Sequence, residues 1–158
     1  MACSFIARLA LPALAFAALA SAQAAPPREI HVIYMGGDDC PPCVAWRTTE
    51  LPQLRQSEVF RSVRFSMVNK PIRSAVPASW LLPDDVKPYK EQLDIAGGRN
   101  IGSPQTAILV NGKVYDYFRG ARMAADIEGM LSAIQAGTPY TYPRCVRRGE
   151  RWACEDGG

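Results

Sequence analysis

The chain has 158 residues, 48% of them hydrophobic and 21% charged, with a formal net charge of +3 at pH 7. That length bounds it to a single domain. The near balance of 18 basic against 15 acidic residues carries no nucleic-acid-binding signature.

Residues 1–24 read as a secretory signal peptide. Arg8 is the only charge before Arg28, an apolar stretch runs from Leu9 to Ala20, and Ala22-Gln23-Ala24 fits the small-residue cleavage pattern. The competing reading is a membrane anchor, but the run is short for a span and ends in Ser21 and Gln23. No cysteine stands at the cleavage point to take a lipid. Cleavage after Ala24 removes Cys3 and Arg8, so the 18 basic residues become 17 against 15 acidic, a mature charge of +2. Cys40, Cys43, Cys145 and Cys154 remain, and an even count in an exported protein implies two disulfides.

After the lead-in 25–28 comes a strand, Ile30–Met35, whose nearly continuous apolar run suits burial on both faces. His31, the only histidine, reads as a structural strand residue with a satisfied ring rather than a catalytic or metal-binding one. Gly36-Gly37-Asp38-Asp39 forms the turn that follows. Then comes Cys40-Pro41-Pro42-Cys43. Proline is tolerated in the first helical turn, where the N–H it lacks has no intrahelical partner. The motif therefore predicts a helix start with Cys40 at its N-terminus, exposed and favoured as a thiolate by the helix dipole. Cys43, one turn in, is placed to resolve a mixed disulfide formed at Cys40. Asp38 and Asp39 oppose the thiolate and are expected to be solvated. The two prolines also remove two N–H donors. The helix is expected to reach about Ser57, with Pro52 kinking or dividing it.

Val63–Val68 alternates as a half-exposed strand should. Residues 70–85 hold Pro71, Pro77 and Pro83 together with Trp80, Leu81 and Leu82. The segment reads first as an inserted loop packing its tryptophan over the core, and second as a docking surface for substrate or partner. A short helix through Tyr89, Leu93 and Ile95 is expected to stop at Gly97-Gly98. Gln105–Val110, Asn111-Gly112 and Lys113–Phe118 form the clearest hairpin, because Asn-Gly supplies the positive φ angles of a two-residue turn. Met123, Ile127, Met130, Leu131 and Ile134 recur at helical spacing, predicting a helix over about 122–136, ended by Gly137, with that stripe in the core. The tail, 138–158, is locally basic, with Arg144, Arg147, Arg148 and Arg151. It carries Cys145 and Cys154 on either side of a turn at Arg148-Gly149-Glu150, and these two cysteines are expected to form a structural disulfide.

A strand running into Cys-x-x-Cys, then Ile101-Gly102-Ser103-Pro104-Gln105-Thr106, a strand, Asn-Gly and another strand, resembles the thioredoxin superfamily over roughly 29–136. The resemblance implies an α/β thioredoxin-like fold, a central mixed sheet flanked by helices, here over 25–137 with the insertion at about 70–85. It also implies a cis-proline at Pro104 facing the cysteines, with Ser103 and Pro104 binding an extended substrate and the proline keeping metal away. The sequence departs from the family at three places. Asp39 stands where a tryptophan is usual, Val44 where a lysine is usual, and Tyr34 where a buried acid assists proton transfer. These departures point away from a general thioredoxin.

The expected function is a periplasmic thiol–disulfide oxidoreductase that needs no dissociable cofactor. It would act on protein thiols and disulfides as a reductant or isomerase-like exchanger, with a membrane redox partner. Two alternatives stand beside it. One is a zinc- or copper-binding module using the cysteines, although Cys-x8-Cys is unusual ligand spacing. The other is a binding protein whose Cys-x-x-Cys is only structural.

Overall fold

A computed structural model describes residues 28–98 and 101–139, and the backbone of 144–148 and 151–155. The signal-peptide reading of 1–24 lies outside the described residues. The chain runs β1 (Ile30–Met35), α1 (Pro41–Leu54), α2 (Glu58–Arg61), β2 (Arg64–Val68), α3 (Lys90–Gly97), β3 (Gln105–Val110), β4 (Lys113–Arg119), α4 (Ala124–Ala136), β5 (Arg144–Arg148) and β6 (Arg151–Glu155). Short 3-10 turns at Ser79–Leu81 and Lys87–Tyr89 precede α3.

The protein is an α/β structure around a four-stranded mixed sheet ordered β2-β1-β3-β4. β1 pairs in parallel with β2 and antiparallel with β3, which pairs antiparallel with β4. The parallel β1–β2 pair requires a crossover, and α1 and α2 supply it. The β3–β4 hairpin turns on Asn111 (φ 50°) and Gly112 (φ 74°), as the Asn-Gly pair demands.

Alternation along β1 divides the core in two. Ile30, Val32 and Tyr34 face the α1/α4 side, where they join Trp46, Leu51, Leu54, Ile127, Met130, Leu131 and Ile134. Ile33 and Met35 face the α3 side, with Leu82, Val86, Leu93, Ala96 and Tyr117. Every β1 residue is buried because both faces are covered, as its apolar run predicts.

Several expectations are corrected. Helix α1 stops at Leu54, two residues past Pro52. Ser57 caps the separate α2 by accepting the Phe60 N–H. Trp80 does not pack on the core: it is 77% exposed and Leu81 57%, whereas Leu82 and Val86 are buried. The 3-10 turn at Ser79–Leu81 leaves those two side chains outside and brings Leu82 in. Met123 leaves the helical stripe and is exposed, because α4 begins at Ala124 and Met123 is its extended N-cap. β2 is half-exposed, as its alternation predicts: Ser66 and Val68 are buried, Arg64 and Met67 exposed, and Phe65 packs partly buried against the α1/α4 core. Val68 joins the α3-side core, and Ser66 meets His31 on that face.

β5 and β6 form a separate two-stranded ribbon, with β5 close to β4 and α3. Its register sets Cys145 directly opposite Cys154.

Candidate active site at the start of helix α1

β1 delivers the chain to the sheet end, and Gly36 to Asp39 turn it into α1. Cys40 is the N-cap residue, extended at φ −114° and ψ 98°, with Pro41 and Pro42 at the first two helical positions. With both prolines lacking N–H, the Cys43 N–H is the first donor of the helix. It reaches the Cys40 sulfur at 3.3 Å and the Cys40 carbonyl at 2.9 Å. The two cysteines form a disulfide with Cα atoms 5.2 Å apart.

Cys40 was expected at the surface, yet both cysteines are fully buried. Bonding turns the Cys40 sulfur inward to Cys43, which belongs to the α1/α4 core, while Pro41 and Pro42 form the exposed rim. Gly36 closes over the pair: a Cβ there would lie 2.8 Å from the Cys43 sulfur and 3.1 Å from the Tyr34 ring. Tyr34 is buried in turn, and its hydroxyl points to the Cys43 carbonyl at 3.4 Å. Burial pushes its phenol up to about 12.

Asp38 and Asp39 are exposed to solvent, as expected, and each also has a protein partner. Arg47 donates to Asp38 at 2.5 Å and to the Gly37 carbonyl at 3.4 Å. Asp39 accepts the Ile72 N–H with both oxygens, at 3.1 and 3.2 Å. Both exposed carboxylates thus also brace the turn, and the Arg47 guanidinium offsets the charge of Asp38.

Across the sheet, the Ser103–Pro104 peptide is cis. Met35 pairs with Gln105, so Pro104 lies one step beyond the last β1–β3 pair, at the sheet end where α1 begins. Pro104 is buried and Ser103 partly so, and the Pro104 carbonyl accepts the Gly120 N–H at 3.0 Å. The loop before it is held by buried Lys70, whose ammonium donates to Ser103 Oγ at 2.9 Å and to the carbonyls of Gly102 and Ile101. Gln105 adds a bond to the Gly102 carbonyl at 2.7 Å and is itself held by the Tyr117 hydroxyl at 2.6 Å. Burial, then the charge of Arg119, lowers the Lys70 pKa, and Asp39 opposes this.

Lys70 and Gln105 have no site role in the sequence reading. A lysine opening a proline-rich loop looks solvated, and charged side chains are seldom fully buried. By sequence Gly36 reads only as part of a turn, although a glycine between a buried strand and Cys-x-x-Cys is the one signal of a close approach.

His31 lies on the opposite face. Its Nε2 is 2.7 Å from Ser66 Oγ, and Ser66 donates to the Asp85 carboxylate. Ser66 spends its only proton on Asp85, so His31 donates from Nε2 and keeps a lone pair on Nδ1, which has no partner. The ring was expected to be satisfied, and it is so at one nitrogen only. Among the described residues no three His, Cys, Asp or Glu side chains converge as metal ligands. The side chains of Cys145 and Cys154 lie outside what the structure describes.

Neither a protein-family model nor a curated protein sequence matches this chain.

Proposed function

We propose that the protein is a thioredoxin-like thiol–disulfide oxidoreductase of the periplasm, working as a reductant or isomerase-like exchanger. The observation that carries this reading is the Cys40–Cys43 disulfide at the N-terminus of α1, with the Cys43 N–H directed at the Cys40 sulfur. The same contact would stabilise a Cys40 thiolate once the bond is reduced. The cis Ser103–Pro104 peptide at the same sheet end supports the thioredoxin-like reading.

In the reducing direction the Cys40 thiolate attacks a substrate disulfide, forming one S–S bond and expelling one substrate thiolate. Cys43, as thiolate, then attacks the Cys40 sulfur and expels the second. Two electrons pass to the substrate and the Cys40–Cys43 disulfide is left. An external dithiol must return the two electrons. We assign that supply to a membrane redox partner, and the exposed Trp80 and Leu81 to its docking.

Only one backbone donor serves Cys40, since Pro41 and Pro42 have none. This keeps the reduced form less stabilised than in a strong oxidant. Equilibration of the purified mature protein against glutathione tests the reading. A potential near that of thioredoxin, about −270 mV, is expected. A value near about −120 mV would make the protein a disulfide donor. No exchange at all would leave a non-catalytic binding protein.

A further inference from the structure

We propose that Lys70 is a positioning residue that holds the substrate-binding loop in register with the reactive disulfide. The inference rests on the oxidoreductase reading and deepens it.

An ammonium has three N–H donors. Those of Lys70 meet three consecutive residues: Ile101 O at 3.4 Å, Gly102 O at 3.0 Å and Ser103 Oγ at 2.9 Å. Lys70 is fully buried, and these three partners are neutral oxygens. Burying a cation whose hydrogen-bond partners are neutral is costly, even with the Asp39 charge acting on it from further off, and a methionine would fill the same space without that cost. What the ammonium provides, and a hydrocarbon could not, is a three-point grip on the chain leading directly into cis Pro104.

The other end of the residue holds the other half of the site. The Lys70 carbonyl packs so tightly on Gly37 that a Cβ there would lie 2.8 Å from it. Two residues on, the Ile72 N–H is clamped by Asp39, the residue before Cys40. One short segment thus ties the turn entering Cys40 to the loop entering Pro104. An extended substrate that pairs with Ser103–Pro104 while offering its sulfur to Cys40 needs both halves in fixed relation, and small misplacements are costly in rate. A small dithiol that meets only the cysteines does not.

The test uses the mature protein, Lys70→Met and Lys70→Gln. Each is assayed in two half-reactions: oxidation of the reduced protein by a disulfide-containing peptide, and reduction of the oxidised protein by dithiothreitol. For both variants KM for the peptide is expected to rise roughly tenfold or more. The dithiothreitol rate should stay within about twofold, and the unfolding midpoint of Lys70→Met should be unchanged or higher. Equal losses in both half-reactions, an unchanged peptide KM, or failure of both variants to fold would each overturn the positioning role. A wild-type protein inert in both half-reactions would instead remove the oxidoreductase reading on which it rests.

Discussion

The Tyr34 ring lies flat against Trp46, with centroids 4.3 Å apart and planes 10° from parallel. The stack floors the disulfide, with the Tyr34 hydroxyl at the Cys43 carbonyl and Trp46 Nε1 donating to the Arg122 carbonyl at 2.8 Å. With its phenol pushed up to about 12 by burial, Tyr34 stays neutral at working pH and takes no proton from the cysteines. Tyr34→Phe should therefore leave the pH profile of Cys40 alkylation unshifted. Tyr34→Ala, which opens a cavity beneath the pair, should cost about 3–5 kcal/mol in urea unfolding.

Cys40 caps the helix, whereas Cys43 lies one turn in, packed against Gly36. In the disulfide both sulfurs are covered, so on the proposed reading the two roles follow from position: Cys40 is the cap at the helix N-terminus and Cys43 lies one turn inside. Cys43→Ser is expected to accumulate mixed disulfides with a peptide substrate, and Cys40→Ser is not. Non-reducing mass spectrometry reads the difference, and the opposite pattern would invert the two roles.

Gly36 is needed for space. Its missing Cβ would meet the Cys43 sulfur at 2.8 Å and the Cys43 Cβ at 3.0 Å, deep in a packed core with no flexible chain end to yield. Gly36→Ala should destabilise the oxidised protein by about 1–3 kcal/mol, the usual cost of overpacking. Chemical denaturation checks it.

His31 makes stability depend on pH. Burial, then the charge of Arg64, lowers its pKa below the ordinary 6.5, and Asp85 and Glu29 oppose the shift only in part. The unfolded chain therefore takes up the proton at a higher pH than the folded one. Stability is full above about 6.5 and falls as the pH drops from there through the folded value. The urea midpoint should fall between pH 7 and pH 5 in the wild type and change less in His31→Gln. Equal slopes would show that His31 is not the group responsible.

Cys145 and Cys154 face each other in the β5–β6 register, a separation that antiparallel pairing holds within disulfide reach. Thiol counting is expected to find them bonded. The closed loop of about ten residues is worth about 2.5–3 kcal/mol in the chain-entropy model. The double variant Cys145→Ala/Cys154→Ala should lose about that much stability and keep its turnover. Retained stability with lost turnover would mark a redox relay instead.

The sequence alone determined the elements whose causes are local. Pro41 and Pro42, whose missing N–H groups cost nothing in a first turn, place a helix start after Cys40. Asn111-Gly112 dictates its turn, the apolar run of β1 requires cover on two sides, and Gly137 ends α4 in the left-handed conformation. The Cys40–Cys43 pair is legible for the same reason, whereas the cis peptide at Ser103–Pro104 is expected only from the resemblance to the thioredoxin superfamily. Only the tertiary structure decided which polar groups meet across long stretches of chain: Lys70 with Ser103, Asp39 with Ile72, His31 with Ser66. It also decided that Leu82 rather than Trp80 fills the α3 face, and that the oxidised Cys40 is covered. Local periodicity states how much apolar surface must be buried. Which neighbour buries it, and which charge is carried inside with it, depends on how the two faces of one sheet are filled, and that is a property of the assembled fold.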